Sequence, residues 1–193
     1  MANTDLKNAP LYFAGDIKNP EFLNALSPAA PFLIKGAVYK ANAPLYDITD
    51  YVFFAENNGL TLVVDLSGAD DKAISAICGA IYSAGAPVIF IASDKNMLSA
   101  AKEAFPRAEF MLRTEFFDVT VIPDLLISGF SADVYYDKLT LERVRDLHAL
   151  NIKTFCHGVA EADVAALLTY FKVDGIITDN PRMFKPSQSS ANL

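Results

Sequence analysis

Eight short apolar runs recur along the chain: Leu11–Gly15, Phe32–Tyr39, Leu60–Ser67, Val88–Ser93, Glu109–Thr114, Asp124–Phe130, Ile152–Gly158 and Val173–Asp179. Most are continuous rather than alternating, the pattern of parallel strands covered on both faces. Helical segments fill the intervals. Pro20–Leu26 is short. Pro44–Asn57 begins on a proline, suited to a first turn, and stops at Asn58-Gly59, a C-cap signal. Asp70–Ala84 ends at Gly85 in the same way, and Lys95–Ala104 stops before Pro106 with Asp94 placed to cap its start. Leu139–Leu150 begins near Thr140, and Glu161–Tyr170 is rich in Ala and Leu. The interval Glu115–Ile122 is too short and too β-branched to read clearly as a helix.

Alternating strand and helix at this spacing calls for right-handed crossovers and a parallel sheet. Eight such units predict a closed (β/α)8 TIM barrel over residues 1–184, with a polar tail at 185–193. An open doubly wound sheet would be expected to carry a glycine-rich turn after its first strand. Here Ala14-Gly15-Asp16 runs into Ile17-Lys18-Asn19.

Composition narrows the possible partners. Hydrophobic residues make up 52% of the 193, enough for a sizeable core, and the net charge is −7. An acidic surface repels phosphate backbones, so nucleic acid is not expected as a partner. Ala73–Ser93 carries no charge over a length that could cross a bilayer, but Gly85-Ala86-Pro87 divides it into a helix-like half and a strand-like half, so no membrane span is expected. Two isolated cysteines, Cys78 and Cys156, fit a reducing compartment, and the polar N-terminus lacks a signal-peptide layout; the expected location is cytoplasmic. The pattern indicates no oligomeric state.

In a barrel of this kind chemistry sits at the C-terminal ends of the strands. The polar residues expected there are Asp16, Lys35, Asp65, Ser67, Ser93, Asp94, Arg113, Ser128, His157, Thr178 and Asp179. Lys35 and Asp65 would be neighbours across the second and third strands, either as a structural ion pair or with Lys35 offering charge to an anionic ligand. Arg113 would neutralise a phosphate or pair with Glu115 or Asp118 at the surface. Asp179 would line the rim or cap the turn at Asn180-Pro181. His148 falls in a helix, away from the mouth, and Cys156 reads as a small core residue.

The string Val173-Asp174-Gly175-Ile176-Ile177-Thr178-Asp179-Asn180-Pro181 resembles the closing strand of the glycerophosphodiester phosphodiesterase family, G-V-D-G-I-I-T-D-x-P. Pro44-Leu45-Tyr46-Asp47-Ile48 is similar to its P-T-L-E-E-V helix start, and Leu62–Gly68 to its L-N-I-E-I-K-G strand. The stretch Val88–Asp94 with Leu98 and Pro106, and the helix Leu139–Leu150, follow in the same order. The resemblance covers Pro44–Pro181 and implies a phospholipase-C-like phosphodiesterase barrel acting on a small phosphorylated molecule.

The catalytic positions depart from that pattern. Where the family has H-R-G, this chain has Phe13-Ala14-Gly15. Where it has the metal-binding E-x-D, the sequence register places Leu33 and Lys35, and the H-D pair with its insertion is missing. Asp65 takes the place of the third metal carboxylate, and Ser67 that of a lysine. One carboxylate holds a hard divalent ion poorly. No cofactor is therefore expected beyond a weakly bound calcium or magnesium at Asp65. The catalytic candidates are Asp65, His157 and Lys35, and the ligand-binding candidates are Arg113, Ser67 and Asp179. Three readings stay open: turnover of a phosphorylated substrate without the usual metal, a non-catalytic sensor of a small anion, and a metal-dependent phosphodiesterase whose ligands have moved to residues such as Asp16 and Asp94.

Overall fold

The computed structural model describes residues 10–26, 33–42, 46–114 and 120–180. Eight parallel strands close into a barrel in sequence order: β1 (Pro10–Phe13), β2 (Leu33–Lys40), β3 (Thr61–Asp65), β4 (Val88–Ala92), β5 (Glu109–Thr114), β6 (Ser131–Tyr135), β7 (Thr154–His157) and β8 (Gly175–Thr178). Helices α1 (Pro20–Ala25), α2 (Ile48–Asn57), α3 (Asp71–Ala80), α4 (Lys95–Ala104), α5 (Val121–Ser128), α6 (Leu141–Ala149) and α7 (Ala162–Phe171) form the outer ring. Side chains cap five of them as the termini of free N–H groups require: Asn19, Asp47, Asp70, Asp94 and Thr140 each accept from backbone nitrogens of the first turn. The uncharged stretch Ala73–Ser93 resolves into most of α3, a turn and β4, and no described helix is long and apolar enough to cross a membrane.

Strand side chains alternate between two apolar layers. The larger layer lies between strands and helices and includes Phe13, Phe22, Tyr39, Leu62, Val64, Phe90, Leu98 and Cys156. The smaller one fills the barrel: Tyr12, Val38, Val63, Ile89, Ile91, Met111, Phe155 and Ile177, with Ala14 against it. Toward the N-terminal end the lumen is plugged by Tyr12 and Phe155, whose rings meet edge to face at 5.8 Å. Burial, with lesser contributions from Glu109 and Asp174, pushes the Tyr12 phenol up to about 12. The plug fits because Gly175 has no side chain. A Cβ there would sit 2.6 Å from Tyr12 Cε2 and run into the Phe155 ring. Gly175→Ala should therefore cost about 1–3 kcal/mol through overpacking, read as a lower urea midpoint; an unchanged midpoint would mean the two rings shift freely.

Two expectations from the sequence need correction. Asp124–Phe130 is not the sixth strand but mostly helix α5. A continuous apolar run does not distinguish buried strand from short helix. Gly129 decides it, with left-handed φ of 66° and its N–H on the Leu125 carbonyl, the C-cap of a helix. Only Leu125 of α5 is fully buried, while Ile127 is 86% exposed. Ser128 thus lies on α5, and the strand follows as Ser131-Ala132-Asp133-Val134-Tyr135.

The second correction concerns Lys35. It stands near the start of β2 and is exposed. The β2–β3 register pairs Gly36 with Thr61 and Lys40 with Asp65. Lys35 and Asp65 therefore sit toward opposite ends of the barrel and form no pair. The expected pairing set a residue near the start of β2 against the last residue of β3, five positions short of Lys40, its actual partner.

Candidate functional site

A chain of polar groups crosses the C-terminal mouth on four strands. Asp65 ends β3, Arg113 stands near the end of β5, Asp133 lies in the middle of β6, and His157 ends β7. Arg113 Nη1 donates to Asp65 Oδ2 at 2.6 Å, and its Nε donates to Asp133 Oδ2 at 2.8 Å. The other carboxylate oxygen of Asp133 lies 2.9 Å from His157 Nδ1. Asp65 Oδ1 accepts from the Ser67 backbone N–H at 3.0 Å and from its hydroxyl at 2.6 Å. Asp133 is 0% exposed, against 19% for the His157 side chain.

Register explains the assembly. Arg113 and Asp133 are direct partners across β5 and β6. Arg113 then reaches over β4 to Asp65. On β6 the pleat carries Asp133 inward, while Ala132 and Val134 pack outward against the helices. Past β7, Gly158 takes a left-handed φ of 79°, and a Cβ there would press on the Tyr135 ring, 2.8 Å from Cδ2. That turn lets Tyr135 lie edge-on to His157, centroids 5.6 Å apart.

Two buried carboxylates flank one guanidinium, so the cluster is tightly coupled. Burial by itself would raise the Asp65 carboxyl, but the charge of Arg113 and hydrogen bonds from Ser67 and Arg113 outweigh it, leaving the group below its usual 3.8. Burial works against the Arg113 charge too, yet Asp133 and Asp65 hold it protonated more firmly than usual. A carboxyl lowered on folding adds stability above its unfolded value and loses it as pH falls through the folded value. Wild type should therefore lose stability below about pH 4. Asp65→Asn should lose less over the same acid window, as followed by denaturant midpoints across pH. Equal acid limbs would contradict the pairing.

The remaining expected residues have other places. By alternation with Val38, which faces the lumen, Lys40 is the lysine of β2 on the mouth side, and it has no ion-pair partner among the described residues. Asp179 is exposed just past β8. The turn after it is held by Thr178, whose Oγ1 accepts from the Asn180 N–H at 3.1 Å, and by Asn180 Nδ2 donating to the Ala160 carbonyl. Asp16 accepts from the Lys18 N–H and the Tyr46 hydroxyl, and Asp94 caps α4; Ser93 is exposed. Arg113 turns inward to Asp65 and Asp133; Glu115 and Asp118, its expected surface partners, lie outside the described residues, as do the tail and Pro181. Cys156 is buried among the outer apolar layer, and desolvation raises its thiol well above the ordinary value, so it is no nucleophile. His148 sits at the other end of the barrel, with Nε2 2.8 Å from Asp174 Oδ2, the same oxygen that accepts from the Thr154 N–H.

Asp133 is the residue that sequence reading missed. Its signal is a lone acid between Ala132 and Val134 in Ser131–Tyr135, a segment that falls outside the strands expected from the apolar runs.

The donor set does not fit the divalent ion of the resembled family. The mouth-side residues of β2 are Val38 and Lys40, so E-x-D has no counterpart on that strand. Both oxygens of Asp65 are engaged by Arg113 and Ser67. Among the described residues no three His, Cys, Asp or Glu side chains group as metal ligands.

No protein-family model matches the sequence, and no curated protein matches it. Solved structures match in fold. A glycerophosphodiester phosphodiesterase from Parabacteroides distasonis aligns over 90% of this chain and 93% of its own, with TM-score 0.67 and 13% identity. An Oleispira antarctica phosphodiesterase, solved with the product sn-glycerol-3-phosphate, aligns over 70% of this chain with TM-score 0.63 and 14% identity; the alignment spans 58% of that enzyme. A glycerol uptake operon antiterminator-related protein from Thermotoga maritima aligns over 92% of this chain and 98% of its own, with TM-score 0.63 and 15% identity. At such identities the likeness is one of architecture, and this chain has the glycerophosphodiester phosphodiesterase-like (β/α)8 barrel fold, shared by that antiterminator-related protein as well.

Proposed function

We propose that this protein takes a small phosphorylated molecule of the glycerophosphodiester class at the C-terminal mouth, without the family's divalent ion. The observation that carries the reading is the Asp65–Arg113–Asp133–His157 chain. It occupies the mouth with an arginine held in a fixed orientation, where a metal-dependent enzyme would need free carboxylates. Arg113 Nη2 has no partner among the described residues, and Lys40 supplies a second cation from β2. Arginine and lysine are the ordinary phosphate-binding side chains. The phosphate of the Oleispira product is a precedent for the ligand class. Ser67 and the exposed Asp179 stand at the rim as further ligand contacts, and Asp65 acts through Arg113. Lys35 has no part in this site. The two buried cysteines, which form no disulfide, suit a reducing, cytoplasmic setting.

A second reading, a non-catalytic sensor, is favoured by one feature: Arg113 is already neutralised by two carboxylates, so of the two cations only Lys40 is left to meet the charge of a developing transition state. One experiment separates the two. sn-Glycerol 3-phosphate is titrated calorimetrically in EDTA, and glycerophosphocholine is then assayed for alcohol release. Both readings expect binding, and at 100 times its dissociation constant the ligand should stabilise the fold by about 2.7 kcal/mol. Lys40→Ala should weaken binding about fivefold to tenfold. Alcohol release in EDTA supports the enzyme, and binding without release supports the sensor. Binding that requires calcium or magnesium would overturn both.

A further inference from the structure

The two histidines of the chain face carboxylates through opposite nitrogens. His148 meets Asp174 through Nε2, and His157 meets Asp133 through Nδ1. An ionised carboxylate can only accept a hydrogen bond, so in each pair the ring nitrogen nearest the carboxylate carries the proton. Neutral His148 is thereby the Nε2–H tautomer and neutral His157 the Nδ1–H tautomer. The remaining nitrogen of His157, Nε2, then bears a lone pair on a partly exposed ring at the mouth and has no partner among the described residues.

Asp133 is well placed to fix this state. It is fully buried, and its second oxygen is locked by Arg113 Nε, which can only donate. The carboxylate cannot rotate away without breaking one bond or the other.

We propose that Asp133 is a positioning residue that presents His157 Nε2 as an acceptor for a ligand hydroxyl, so that the site selects phosphorylated polyols over simple phosphate esters. The inference rests on the phosphorylated-ligand reading for its ligand and on the Asp133–His157 geometry for its residue. Arg113 Nη2 and Lys40 engage the phosphate, and His157 receives the O–H of the polyol. If the hydroxyl gives up its proton, the O–H bond breaks, the electron pair stays on oxygen, and the imidazolium formed at His157 is balanced by Asp133.

Asp133→Asn tests this sharply. Arg113 Nε still demands an acceptor, so the amide oxygen should face Arg113 and the amide NH2 should face His157 Nδ1. The ring must then accept at Nδ1 and shift its proton to Nε2. Long-range 1H–15N spectra of the neutral rings report this directly, with His148→Gln to assign the two signals. Wild type should show opposite tautomers for the two residues, and Asp133→Asn should move only the His157 proton. A proton on Nε2 of wild-type His157 would overturn the proposal without any ligand.

The ligand arm compares sn-glycerol 3-phosphate with propyl phosphate, which lacks the hydroxyls. Wild type should prefer the glycerol ester by about tenfold, the size of one well-made hydrogen bond. In Asp133→Asn and His157→Ala the ratio of the two affinities should fall to about one, whatever the change in overall affinity. Equal binding of both probes by wild type sinks this inference and leaves the phosphorylated-ligand reading standing. Binding of neither sinks that reading and the ligand role of Nε2 together. If Asp133→Asn does not fold, the wild-type spectra and His157→Ala decide the matter.

Discussion

Replacing Arg113 with methionine should cost about 3–5 kcal/mol of folding stability. Methionine matches much of the arginine stem, so the loss measures charge pairing more than packing. Its removal leaves Asp65 and Asp133 buried at the mouth with no cation between them, and the desolvation penalty of each carboxylate then goes uncompensated. Arg113→Lys should recover only part of the loss. An ammonium is a point charge, and it cannot reproduce one fork that donates Nε to Asp133 and Nη1 to Asp65. The triple change Arg113→Met, Asp65→Leu, Asp133→Leu should be far milder than the single one, because it removes both orphaned charges together. Urea unfolding near neutral pH measures all three. A single substitution costing under about 1 kcal/mol would mean that water already solvates the cluster.

Phe90→Ala should cost about 3–5 kcal/mol by the same measure. Phe90 is fully buried in β4, on the helix side of the sheet. It stacks on Phe110 with ring centroids 5.7 Å apart and meets Phe105 edge-on at 6.1 Å. Truncation loses the transfer energy of the ring and leaves a cavity between β4, β5 and α4 that a closed barrel cannot collapse to fill. Val63→Ala, inside the lumen, removes two methyl groups only and should cost less. If the two costs were reversed, the lumen rather than the strand–helix layer would carry the stability.

Much of the barrel was readable because buried parallel strands announce themselves as continuous apolar runs, and because Asp94, Thr140 and Gly59 punctuate helices locally. α5 and β6 were misread for a physical reason. Leu125-Leu126-Ile127 is as apolar as a buried strand, and only the left-handed geometry at Gly129, invisible to periodicity, identifies it as a helix end. That slip carried Asp133 out of view. Lys35 failed differently: both the face a strand residue takes and its height in the barrel depend on register, which a run of residues cannot supply, and a slip of five residues changes both. Lys40 holds the level that Lys35 was expected to hold. His157, Asp65 and Arg113 were each legible as polar residues at strand ends. Their connection through Arg113 and Asp133 was not, because it depends on four strands far apart in sequence.

The most direct measurement is an amide NMR titration of the protein with sn-glycerol 3-phosphate in EDTA. The proposal predicts that the largest shifts fall on the residues around Lys40, Ser67, Arg113, Tyr135 and His157, and that Tyr12, Glu109 and Lys153 at the other end of the barrel stay unmoved. Shifts centred on those latter residues, or appearing only after calcium or magnesium is added, would contradict it.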